Sequence, residues 1–140
     1  MILLTGSSGF IGTNLLNSLV CNVRLVLRKE FKNSKFFNDQ YFIPDFSGST
    51  NWDGAFTNVS CIIHLASIAH GNLLKLSGNL SNLFEVNTEG TLKFALSAAQ
   101  QGVKRFVFIS SIGVNGNSSN LPFTELDDPQ PIEPYAISKL

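Results

Sequence analysis

The chain has 140 residues, 44% of them hydrophobic and 14% charged, with 10 basic residues balanced by 10 acidic ones. That is one domain's length with enough apolar content for a core, and a net charge of zero gives no field to draw in nucleic acid or acidic lipid. Cys21 and Cys61 share no metal-ligand spacing and read as buried free thiols of a reducing compartment. No basic region precedes the apolar start, so neither a signal peptide nor a membrane span is expected, and the cytoplasm is the expected location.

"MILLTG" reads as a buried strand closed by glycine. "GFIGTNLLNSLV" follows with Ile11, Leu15, Leu16 and Leu19 at helical spacing, and "NVRLVLRK" is a second strand. "FKNSKFFNDQ" reads as loop with at most a helical turn, "YFIPDF" as a weak third strand and "NWDGAFTNV" as a short helix. "SCIIHLAS" is a fourth, wholly apolar strand, and "IAHGNLLKLSGNL" is loop or partial helix. From Ser81 to Gln101 the apolar spacing predicts a helix, with Gly102 placed as its C-terminal stop. "VKRFVFISS" is a fifth strand, then comes a Gly-, Asn-, Ser- and Pro-rich loop whose length suggests a function, and "YAISKL" opens a helix after Pro134. Apolar strands alternating with helices predict a doubly wound parallel α/β sheet covered on both faces, a Rossmann-type domain over 1–140.

Three glycines, Gly6, Gly9 and Gly12, stand where the first strand gives way to the first helix. Glycine permits a tight turn and close backbone approach, and free N–H groups at a helix start hold phosphate. The G-x-x-G-x-x-G spacing is read as a dinucleotide-binding turn, with Phe10 and Ile11 on its helix side. Arg28 and Lys29 end the second strand, where an acid would bind the adenosine ribose of NAD; a base there suits the 2′-phosphate of NADP, so NADP is somewhat favoured over NAD. Ser110 and Ser111 end the fifth strand, and Tyr135 and Lys139 stand one helical turn apart. A lone phenol is a poor base near neutrality; a neighbouring ammonium favours its phenolate, and Ser111 could orient the substrate oxygen while a nicotinamide exchanges hydride.

"TGSSGFIG", "IIHLAS", "VNTEGT", "VKRFVFISSIGVNG" and "EPYAISK", in this order, resemble the N-terminal half of the extended short-chain dehydrogenase/reductases, the NAD(P)-dependent nucleotide-sugar epimerase/dehydratase group. The resemblance implies a catalytic triad of Ser111, Tyr135 and Lys139, with Tyr135 and Lys139 also touching cofactor. It implies Asp45 and Phe46 beside the adenine, Leu65, Ala66 and Ser67 lining the cofactor, and Asn87 near the catalytic lysine or supporting the fourth strand. It further implies a nucleoside-diphosphate sugar as substrate, reaction at C4 as epimerase or 4-keto reductase, and a homodimer through the 81–101 helix, a face that could instead be buried twice within the fold. A non-catalytic dinucleotide-binding or sensing module is the alternative. The 140 residues are expected to be the cofactor-binding part, inactive alone, with Tyr135 and Lys139 poorly held because a six-residue helix start is marginal. His64 reads as a core histidine, His70 as ligand-facing or surface, and Asp127 and Asp128 as solvated. No metal site is expected.

Overall fold

A computed structural model describes residues 1–30, 39–69 and 80–140. The readings for 31–38 and for 70–79, His70 included, lie outside the described residues. Five strands form one parallel sheet: β1 (Ile2–Thr5), β2 (Val23–Leu27), β3 (Gln40–Phe42), β4 (Cys61–His64) and β5 (Arg105–Phe108), in the order β3-β2-β1-β4-β5. Helix α1 (Phe10–Ser18) follows β1. Helix α2 (Leu80–Phe84), a π-helical turn (Glu85–Gly90) and α3 (Thr91–Gln100) run on without a break, and the short α4 (Pro134–Ile137) closes the described chain.

Alternation along the strands builds a core on each face. Leu4, Val23, Leu25 and Leu27 pack with Leu16 of α1. Leu3, Val26 and Ile62 pack on the other face with Phe94 and Ala98 of α3, joined by Phe46, Trp52 and Phe56. The aromatic rings interlock there, with the Trp52 and Phe94 centroids 4.4 Å apart and Phe46 edge-on to both. Glycine ends α3 as expected: Gly102 has φ +81° and its N–H reaches the Ala99 carbonyl.

Four local readings need correction. Residues 52–59 form successive turns rather than a helix, because Gly54 (φ +76°) and Asn58 (φ +62°) take left-handed conformations that no α-helix accepts. The 81–101 helix contains the π turn, whose Gly90 lies so close to Phe46 that a Cβ would come within 2.7 Å of the ring. Strand β5 is not buried on both faces: Arg105 and Val107 are exposed while Phe106 and Phe108 turn inward. Cys21 is exposed, in the loop leaving α1, and Cys61 is only partly covered.

Candidate functional site

The strand order reverses beside β1, so β2 lies on one flank and β4 on the other. In open α/β sheets a crevice forms at the carboxyl ends of the strands at such a point. Here its two lips are the turn after Thr5 and the segment after His64, whose Cα positions are register partners.

The first lip is Gly6–Gly12. Gly6 has φ +70°, and a Cβ on it would sit 2.7 Å from the Ala66 nitrogen and from the Leu65 carbonyl carbon. A Cβ on Gly12 would lie 2.1 Å from the Gly6 oxygen, so α1 can only start this close to β1 with glycine there. Gly9 is the N-cap of α1 and offers no side chain to the helix start; the first intrahelical bond runs from the Thr13 nitrogen to the Gly9 oxygen. Gly9, Phe10 (88% exposed) and Ile11 (58%) lie open above this end. The Ser7 hydroxyl, in the same turn, is buried with no hydrogen-bond partner. An uncapped helix start, a turn packed so tightly on its neighbours that two of its positions admit only glycine, and an orphaned hydroxyl together fit a diphosphate.

The second lip is Leu65–Ile68. Thr5 Oγ1 accepts hydrogen bonds from the Leu65 and Ala66 amides at 3.2 and 3.1 Å. Asn87, 2% exposed on the π turn, accepts from the Ile68 nitrogen at 2.8 Å and donates to the Ile68 oxygen and to Ser138 Oγ, both at 3.0 Å. Asn87 therefore ties the segment after β4 to the chain end that carries Lys139, and the π turn is what brings it there. Ser67 is half-buried between these anchors.

Arg28 is exposed just past β2, and Asp45 is exposed beyond β3. The side chain of Phe46 does not face outward beside Asp45. It is 7% exposed and stacks on the His64 ring at 5.1 Å, because the apolar floor under the crevice takes it up.

The third element is the end of β5 with α4. Ser111 caps a 3-10 turn (Ile112–Asn115), its Oγ accepting from the Gly113 nitrogen at 3.2 Å. That turn packs on α4: a Cβ on Gly113 would sit 3.3 Å from Ala136 Cβ and 3.5 Å from Ser111 Oγ. Pro134 at the first helical position starts α4. Contrary to the expectation of a loose end, Lys139 is 4% exposed. Ser110 Oγ donates to its carbonyl at 3.1 Å, Thr88 Oγ1 to the Ser138 carbonyl at 3.4 Å, and Lys139 Nζ lies 4.5 Å above the Phe108 ring centre. Tertiary contacts thus hold what helix nucleation alone would not. Burial lowers the Lys139 ammonium below the ordinary lysine range, to about 8. It stays mostly charged near neutrality.

A cavity of about 360 Å³ opens elsewhere, between Gly48–Asp53 and Lys93, Ser97, Gln100 and Gln101; none of the sequence-predicted site residues lines it. Among the described residues no group of three or more His, Cys, Asp or Glu is placed to hold a metal, and no helix is long and apolar enough to cross a membrane. Asp127 takes part in a local turn, its carboxylate accepting from the Thr124 nitrogen at 2.8 Å.

A parallel sheet that reverses order at a glycine turn, with an uncapped helix start facing a second backbone lip, defines a dinucleotide-binding α/β domain. The chain belongs to the NAD dependent epimerase/dehydratase family, whose model matches residues 2–140. It is 37% identical to a UDP-glucose 4-epimerase of Vibrio cholerae over 142 residues, covering 99% of this chain and 43% of that protein. Among solved structures, MoeE5 in complex with UDP-glucose and NAD superimposes with a TM-score of 0.78 at 27% identity, over 99% of this chain and 45% of that one. The UDP-glucose 4-epimerase of Thermotoga maritima with UDP-glucose gives 0.76 at 26%, over 99% and 47%. The chain thus spans about half the length of the relatives it matches.

Proposed function

We propose that these residues form the cofactor-binding part of a nucleotide-sugar epimerase or 4-keto-sugar reductase acting at C4. The observation that carries the reading is the convergence of three segments on one crevice end: the glycine turn, the Leu65–Ile68 lip, and the strand end with Ser110–Ser111, which Ser110 binds to the Tyr135–Lys139 segment while Asn87 ties that segment to the lip. Family membership and the UDP-sugar relatives support the substrate class.

A nicotinamide, when bound, supplies hydride acceptance and return. The Phe10–Gly12 amides, ahead of the first intrahelical bond, would hold its diphosphate, and the Leu65–Ser67 backbone would line the path toward β5. Ser111 Oγ hydrogen-bonds the reacting C4 oxygen and orients it. Tyr135 takes that oxygen's proton and gives it back, and the Lys139 ammonium, one turn along, stabilises the phenolate. NAD is the cofactor named with MoeE5, which supports NAD; the preference for NADP read from Arg28 gains no support from the relatives. The outward Leu92 (54% exposed) and Leu96 (53%) of α3 support self-association through that face.

The test is turnover by a protein carrying this chain within a full-length relative's frame. UDP-glucose and UDP-galactose are supplied with NAD, and 4-keto sugar with NADPH. Sugar interconversion without net cofactor change identifies epimerisation, net oxidation of NADPH identifies reduction, and Tyr135→Phe should lower either at least about a hundredfold. Neither activity, in a protein that binds NAD, would leave the non-catalytic module.

A further inference from the structure

His64 ends β4 and is fully buried at 0% exposure. Its ring stacks on Phe46 and on Phe108 at 5.1 and 6.0 Å, with interplanar angles of 19° and 18°. Nδ1 is 2.7 Å from Thr5 Oγ1, and Nε2 is 2.9 Å from Thr91 Oγ1.

The direction of these bonds follows from counting. A threonine hydroxyl has one hydrogen and two lone pairs. Thr5 Oγ1 already receives two N–H groups, from Leu65 and Ala66. Its own hydrogen is left for His64 Nδ1, which must be the bare nitrogen. Burial, and secondarily the Lys139 charge, holds the imidazole neutral, lowering it to about 3. The ring's one hydrogen therefore sits on Nε2 and donates to Thr91. In the other tautomer three donors would crowd Thr5 Oγ1, and one of the two backbone amides would lose its partner.

We infer that His64 is a positioning residue: by accepting the Thr5 hydrogen it fixes the hydroxyl so that both Thr5 lone pairs face the Leu65 and Ala66 amides, and so sets the lip after β4 against the glycine turn. The Thr91 bond anchors the same ring to α3. Thr5 immediately precedes Gly6, whose missing Cβ admits that lip to within van der Waals contact, so a small displacement there changes the width of the crevice. The inference rests on the dinucleotide-binding reading above. A histidine that merely filled space would be replaced without loss by an apolar side chain of similar volume.

The experiment begins with the unmodified chain. Nitrogen-15 NMR of the histidine rings should show His64 with a bare Nδ1 and a protonated Nε2, whether or not NAD is added; a hydrogen on Nδ1 overturns the inference. Variants then test the consequence. His64→Asn keeps an acceptor near the Nδ1 position, whereas His64→Leu keeps bulk and removes it. At equal folded fraction, His64→Leu should weaken NAD binding about tenfold and speed amide exchange at Leu65 and Ala66, while His64→Asn stays within about threefold of the parent. Equal affinity and exchange in the parent and both variants would overturn the inference. Should the leucine variant not fold, Thr5→Val and Thr5→Ser make the same comparison, loss against retention of the hydroxyl. Failure of the unmodified chain to bind NAD would defeat the dinucleotide reading, and the ring tautomer and amide exchange would still judge His64.

Discussion

Replacing Lys139 by methionine should make this chain more stable near neutrality. Lys139 is 4% exposed and holds its ammonium against the Phe108 ring. Burial lowers it from 10.5 to about 8. At roughly 1.4 kcal/mol per unit, the buried charge costs about 3 kcal/mol relative to the unfolded chain. The attraction to the Phe108 ring, about 1 kcal/mol, is lost with the charge. Methionine keeps the unbranched stem in place, so the net gain is about 1–2 kcal/mol. The sign with pH follows from linkage. The unfolded lysine binds more protons than the folded one between about 8 and 10.5, so the parent gains stability as pH rises through that window. The methionine variant has no such gain, and its advantage should be full below about 8 and gone above about 10.5. Urea midpoints at pH values either side of the window, with unchanged slopes, measure it. A variant less stable than the parent near neutrality, or an advantage equal at both pH values, would refute the reasoning. If Lys139 serves Tyr135 as proposed, the same change should also lower turnover of a protein carrying this chain, so stability and turnover should move in opposite directions.

Other perturbations have equally definite outcomes. Gly12→Ala puts a Cβ 2.1 Å from the Gly6 oxygen and should cost about 3 kcal/mol by thermal or urea unfolding; a loss under about 1 kcal/mol would mean that α1 can back away from the turn. His64, held down to about 3, must take up a proton on unfolding in acid, so stability should fall as pH drops from about 6.5 toward 3. His64→Asn should flatten that slope, and an unchanged slope would place the acid sensitivity elsewhere. Arg28→Asp should shift the ratio of NAD to NADP affinity toward NAD at least about tenfold if Arg28 meets a 2′-phosphate; an unchanged ratio removes Arg28 from the adenosine end.

The strand–helix alternation and the glycine turn were legible because each rests on local sequence: apolar runs of strand length, and glycines where backbones must nearly touch. Elements set by distant partners were not. The π turn at Glu85–Gly90 exists because Gly90 receives Phe46 and Asn87 must reach Ile68 and Ser138, partners that helical periodicity does not report. A glycine in mid-helix, three residues after an asparagine, was the one signal in the sequence that could have exposed it. The turns at 52–59 carry helix-like apolar spacing, and only the left-handed Gly54 and Asn58 break it. His64 was recognisable as a core histidine, but its orienting bonds run to Thr5 and Thr91, 59 and 27 residues away. Tyr135 and Lys139 were legible as a spacing. The burial of Lys139 was not, because Ser110, Thr88 and Phe108 supply it from other elements.

Calorimetric titration of NAD into the unmodified chain and into Gly9→Glu bears most directly on the glycine turn as a diphosphate site. The Gly9 dihedrals (φ −79°, ψ 171°) suit any residue, a Cβ there meets the Gly6 oxygen at 3.3 Å and needs only a small shift of the turn, and a carboxylate at the start of α1 favours the helix dipole, so the fold should survive. The unmodified chain should bind one NAD saturably. The carboxylate should occupy the place of the diphosphate and repel it, weakening binding at least about thirtyfold. No binding by the unmodified chain, or equal binding by both, would contradict the account.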